Sequence, residues 1–226
     1  MEVSATQQML KDVVKDALVE VINGNKQRED GEFGNLLTVM EDPATGNRHG
    51  VYYLLGEVVE TEKYLDLIQY IDSMDAEDTL HLKINSEGGD VTTGIAIIQS
   101  MRTTGGFIVT EQMSIAGSIS ALMLMAGDSI VINDFGVTLF HTYSITVGGK
   151  RHELNALMAA ENVRYKRAIK DLCSAVLTKR ELKNIENGMD VWIQADDMNT
   201  RLHKISQQTD AVAQGVQVTS VRQELD

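Results

Sequence analysis

Leu10, Val13, Val14, Ala17, Leu18, Val21 and Ile22 recur at helical spacing within "SATQQMLKDVVKDALVEVINGN". Ser4 and Gln7 are spaced as a capping box, and Asn23-Gly24 is a stop signal. An amphipathic helix is expected there, and its apolar stripe must be covered by the rest of the chain or by a partner. The polar, glycine-rich "GNKQREDGEFGN" that follows reads as a connection. Residues 1–34 are therefore expected to form a segment apart from the main body.

From Leu36 the period shortens. "LLTVM" and "VYYLLGEV" read as strands, "ETEKYLDLIQYIDSM" as a helix with Tyr64, Leu65, Leu67, Ile68 and Ile71 on one face, and "LHLKIN" as an alternating strand. Strand, helix, strand in that order argues for parallel pairing through a crossover. The alternation continues through "TTGIAIIQSMRTT" (helix), "FIVT" (strand), "SISALMLMAG" (helix), and "SIVIN" and "VTLFH" (strands). A long helix is expected from about His152 to Leu177, a short one from Lys179 to Asn187, then the strand "VWI" and a last helix in "QADDMNTRLH". The main body is thus residues 35–205, in the α/β class, and the polar stretch 206–226 is expected to be a loosely held tail.

Composition narrows the function classes. Of 226 residues, 43% are hydrophobic and 23% charged, enough apolar material for one sizeable domain. The formal net charge of -13 opposes non-specific binding to nucleic acid or to anionic membranes. The single cysteine, Cys173, has no partner within the chain and fits a helix interior, so a packed core residue in a reducing compartment is expected. No signal-peptide pattern and no apolar run of membrane-spanning length is visible, and a cytoplasmic location is expected.

Three stretches put small or reactive residues where strands end: "INSEGGD", "AGSISA" and "LFHT". Gly88-Gly89 can turn sharply and present N–H groups to an anion or a carbonyl oxygen. Ser118 stands at the start of an apolar helix, where it could be a plain N-cap or a nucleophile with the Ile119 N–H beside it. His141 ends an apolar strand. The other four histidines, His49, His81, His152 and His203, show no metal-ligand spacing, and no metal is expected. A serine and an imidazole need a carboxylate to orient the ring. Asp190, just before "VWIQ", fits, with Asp134, Asp171 and Asp196 as competitors that sequence spacing alone does not separate.

Taken together, these stretches resemble the Clp proteolytic subunit family (ClpP), serine peptidases that share a spiral of stacked strand-strand-helix units with the crotonases. "INSEGGDVTTGIAI", "AGSISALMLMAG" and "VTLFH" match three of its motifs in order, within a similarity running from "VYYLLGEV" to "WIQADDM". The resemblance implies Ser118 as nucleophile, His141 as general base and Asp190 as orienting carboxylate. It implies an oxyanion hole from the backbone N–H groups of Gly89 and Ile119.

The same resemblance implies polypeptide substrates, no cofactor in this chain, and a homo-oligomeric barrel of two stacked heptameric rings, a tetradecamer. Contact between rings would run through the protruding long helix in "TVGGKRHELNALMAAENVRYKRAIKDL". A Clp-type AAA+ ATPase, which consumes the ATP, or a paralogous ClpP subunit is the implied partner. Departures from the family pattern are Glu87 in place of proline, Ser120 in place of glycine, Thr142-Tyr143 in place of Gln-Pro, and the N-terminal segment. They admit an alternative, a catalytically weak or silent ring subunit within a mixed complex.

Overall fold

Alternation in "LHLKIN" is realised directly: Leu80, Leu82 and Ile84 are fully buried while His81, Lys83 and Asn85 face the other side of the sheet. The computed structural model describes residues 36–144 and 148–213, without the side chains of 208–213. The helix expected between Ser4 and Asn23 lies outside the described residues, as does the end of the expected tail.

Along the chain come β1 (Leu36–Glu41), β2 (Arg48–Val58), a 3-10 turn (Thr61–Tyr64), α1 (Leu65–Asp72), β3 (Thr79–Gly89), α2 (Val91–Thr103) and β4 (Phe107–Gly117). There follow α3 (Ile119–Leu124), β5 (Ser129–Ile132), β6 (Val137–Phe140), α4 (Arg151–Cys173), α5 (Lys179–Glu186), β7 (Val191–Gln194) and α6 (Ala195–Ala213). The sheet runs β1-β2-β3-β4-β6-β7, with β5 also on β4. The β2, β3 and β4 pairings are parallel, as the strand-helix-strand order requires, and β1 and β7 close the edges antiparallel. The α/β class, with stacked strand and helix units and a long projecting helix, is as expected.

Three strands are longer than their patterns suggested: β2 begins at Arg48, ahead of "VYYLLGEV", and β3 and β4 run on at their C-terminal ends. β4 runs past "FIVT" through the polar pair Glu111-Gln112 to Gly117, because both its edges are occupied: β3 on one side, and β5 then β6 in succession on the other. Its buried polar residues are satisfied there. Thr110 donates to the Leu124 carbonyl at 2.7 Å, and Gln112 Nε2 donates to the Val137 carbonyl at 2.6 Å, which ties β4 to the end of α3 and to β6. β3 likewise continues past Asn85 to Gly89, since Gly88 and Gly89 still pair with Glu57 and Val58 of β2. At the other end of the chain α6 continues past Ile205 to Ala213.

The core lies between the sheet and its helices. All six residues of α3 are buried, and all but Ser120 are apolar. α4 is the opposite case. Its buried residues are Tyr165, Ile169 and Cys173, all in the C-terminal part, so its first turns project from the body. Cys173 is fully buried, and burial pushes its thiol well above the usual range, as fits a packed, unreactive residue. Among the described residues no helix is long and apolar enough to cross a membrane.

Candidate active site

The chain leaves β4 through a sharp bend at Ser118, with φ 55° and ψ −125°, the one non-glycine residue with positive φ among those described. Such a backbone costs on the order of 1–3 kcal/mol, and its surroundings must hold it. The Ser118 N–H donates to the Leu139 carbonyl of β6 at 2.9 Å. One residue into α3, the buried Ser120 hydroxyl accepts from the Gly117 N–H at 2.9 Å. The same hydroxyl lies 2.7 Å from the carbonyl oxygens of Ser86 and Gly117, donating to one at a time.

The tip of β3 packs directly beneath this bend. A Cβ on Gly88, whose φ is 104°, would stand 2.6 Å from Ser118 Cβ and 2.7 Å from the Gly117 carbonyl oxygen. A Cβ on Gly117 would stand 2.8 Å from the Glu87 carbonyl oxygen. Only glycine allows two strand ends to approach so closely. Gly89, with φ 146°, turns toward β2, where a Cβ would meet the Val58 carbonyl oxygen at 2.1 Å. The Gly88 N–H is engaged with Ser86 Oγ at 3.1 Å. Ile119, as the first residue of α3, has no acceptor for its N–H within the helix. The Ser118 side chain makes no capping bond, so a plain N-cap role does not account for it.

Sheet register brings the other two residues to the same edge. Leu139 of β6 lies opposite Gly117 of β4, and Phe140 of β6 lies opposite Val191 of β7. The β6–β7 pairing ends at Phe140 and Val191, so His141 follows one end of it and Asp190 precedes the other, on adjacent strands at the same edge. Ser118, His141 and Asp190 thus leave three adjacent strands at one end of the sheet. Their side chains are not linked: among the described residues no hydrogen bond or ion pair joins Ser118 to His141 or His141 to Asp190. His141 is half-buried, whereas Asp190 is exposed, two residues after Gly188, whose φ of 83° turns the chain out of α5.

Sequence reasoning did not single out Tyr165. This α4 residue is 3% exposed, and its hydroxyl donates to the His141 carbonyl at 2.9 Å. Tyr143 packs edge-to-face on it with ring centroids 5.5 Å apart and donates to the Met158 carbonyl at 3.2 Å. Burial pushes the Tyr165 phenol far above the usual tyrosine range, against a smaller opposite pull from the nearby Ser118 hydroxyl. Beside it, a groove of about 470 Å³ runs between α4 and α5, with Thr142, Ile169, Leu182 and Ile185 in its wall. A buried tyrosine on a helix face looks like ordinary core in sequence, so no local signal marked it. No group of three or more His, Cys, Asp or Glu placed to hold a metal ion occurs among the described residues.

The family model described as Clp protease matches residues 53–212. The ATP-dependent Clp protease proteolytic subunit of Bigelowiella natans is 29% identical over 128 residues, 56% of this chain and 61% of that protein. Subunit 2 of the same description from Prochlorococcus marinus (strain NATL2A) is 41% identical over 58 residues, 26% of this chain and 29% of that protein. Subunit 3 from Synechococcus sp. (strain CC9605) is 40% identical over a stretch of the same 58-residue length. The chain spans less than two thirds of the length of these relatives.

Proposed function

The chain belongs to the Clp protease family, and on that premise we propose that it is a serine-type endopeptidase subunit acting on peptides or unfolded polypeptides. The observation that carries this is the common strand-end origin of Ser118, His141 and Asp190, with Ser118 on a strained bend. In the reaction, Ser118 Oγ attacks a peptide carbonyl while His141 takes its proton and later returns it to the leaving amine. Asp190 holds the imidazole in the required tautomer and stabilises its charged form. The N–H groups of Gly89 and Ile119 donate to the oxyanion, each such donor being worth about 2.7–4 kcal/mol in comparable enzymes. The Gly88 amide is engaged with Ser86 Oγ, and the family resemblance assigns the oxyanion task to Gly89.

The proposal extends to assembly. Val163, 71% exposed, together with the exposed Leu157 and Met158, gives the projecting part of α4 an apolar surface. This supports contact between stacked heptameric rings through that helix. Feeding by a Clp-type AAA+ ATPase, association with a paralogous subunit, and work in the cytoplasm complete the proposal, with no cofactor bound by this chain.

A second reading, a silent or weak ring subunit, is favoured by one observation: the imidazole and the Asp190 carboxylate are not joined, and the carboxylate is exposed. A fluorophosphonate probe separates the two. We expect the assembled wild-type protein to be labelled at Ser118, with turnover of a fluorogenic peptide, and both to vanish in Ser118→Ala. A properly assembled wild type that takes no label and turns over no peptide overturns the peptidase proposal in favour of the silent subunit.

A further inference from the structure

We propose that Tyr165 is a positioning residue for the serine–histidine pair, holding His141 by its backbone carbonyl, with Tyr143 as its brace. This rests on the peptidase proposal above and assigns a task to a side chain outside the triad. Phe140 is the last paired residue of β6, so from His141 onward the sheet no longer fixes the backbone. Something else must hold the imidazole's own residue against the Ser118 bend.

Tyr165 is placed to do so. It is the first buried residue of α4, so its ring is anchored in the body even though the preceding turns of the helix project. Its hydroxyl has one proton, which goes to the His141 carbonyl at 2.9 Å. Its remaining lone pairs can accept, and the Ser118 hydroxyl is near enough to influence the phenol. The phenol therefore touches the surroundings of both reacting groups and stays neutral throughout the range in which a histidine base works. It has no proton-transfer task and supplies only placement.

Tyr143 explains why the chain after His141 stays in reach. Its ring meets Tyr165 at 66°, an edge-to-face contact, and its hydroxyl bonds to the Met158 carbonyl on the projecting part of α4. Thr142-Tyr143 is one of the departures from the family pattern named above, and Tyr165 is the buried side chain it packs against. The two tyrosines clamp the segment after β6 onto α4 from the far side of the histidine.

Tyr165→Phe tests this, because it removes the hydroxyl and keeps the ring and its stacking. Peptide turnover is measured on the assembled protein and expressed per site titrated with a fluorophosphonate. We expect kcat per labelled site to fall about 10–100-fold with KM within about twofold, since small misplacements of catalytic groups cost that much. Tyr143→Leu, which loses only the brace, should give a smaller loss, about 3–10-fold, again in kcat. A Tyr165→Phe protein with a lowered melting temperature but wild-type kcat per labelled site assigns the hydroxyl to stability alone and overturns the proposal. A loss confined to KM overturns it as well. A wild type that takes no label removes the peptidase proposal and this one together, which is distinct from labelled wild type with an indifferent Tyr165→Phe.

Discussion

Ser118 stands on a bend held by the Leu139 carbonyl, by the Ser120 hydroxyl acting on Gly117, and by the tip of β3 at Gly88, all in or beside the buried core. Asp190 stands on an exposed stretch after Gly188, its side chain bonded to nothing among the described residues, although it directly precedes Val191, the partner of Phe140. A strained residue persists only where its neighbours over-determine it, and the serine end meets that condition. At the carboxylate end the backbone is bonded to α5 and β6, and only the exposed Asp190 side chain is without a partner among the described residues. The bend at Ser118 is thus set by folding of the chain itself, whereas no bond among the described residues fixes the Asp190 side chain.

The contrast can be broken at the serine end first. Gly88→Ala puts a methyl group on a residue with φ 104°, 2.6 Å from Ser118 Cβ. It should cost about 3 kcal/mol or more and abolish labelling of Ser118, read by thermal unfolding and by the fluorophosphonate. Unchanged melting and labelling would mean that the two strand ends are not in contact.

Ser120→Ala is the intermediate case. It leaves the Gly117 N–H without its partner at the base of the bend, and about 1–3 kcal/mol of stability should be lost in urea unfolding. A loss below about 0.5 kcal/mol would show that the bend does not depend on this hydroxyl.

Asp190→Asn should have the smallest effect on stability, within about 0.5 kcal/mol, because the side chain is exposed and unbonded. Turnover tells the two ends apart in the other direction. It should fall by roughly 10⁴-fold, the penalty seen when a triad carboxylate is replaced by its amide. Wild-type turnover in Asp190→Asn would hand the orienting task to another residue.

Strand alternation and the glycine and small-residue stretches at strand ends lie within a few residues of one another, and short-range sterics and burial dictate their form. For that reason β2, β3, β6 and β7, the long helix, and the candidacy of Ser118 and His141 were all visible in the amino-acid order. Strand length was less so. The ends of β3 and β4 extend beyond their apolar alternation because neighbouring strands supply partners for polar residues such as Gln112 and for the paired glycines.

What only the tertiary structure decided are the relations between residues distant in sequence. Asp134, Asp171 and Asp196 compete with Asp190 on composition, but Asp190 directly precedes Val191, which pairs with the Phe140 that precedes His141, and Asp171 is engaged with Arg167 on α4. Ser120 looks like one small residue in an apolar helix until Gly117 and Ser86 are brought to it. Tyr165 looks like core until its hydroxyl meets the His141 carbonyl. The physical reason is common to all three: local order sets φ, ψ and periodicity, while a hydrogen bond across the sheet exists only once strand pairing has brought donor and acceptor within about 3 Å.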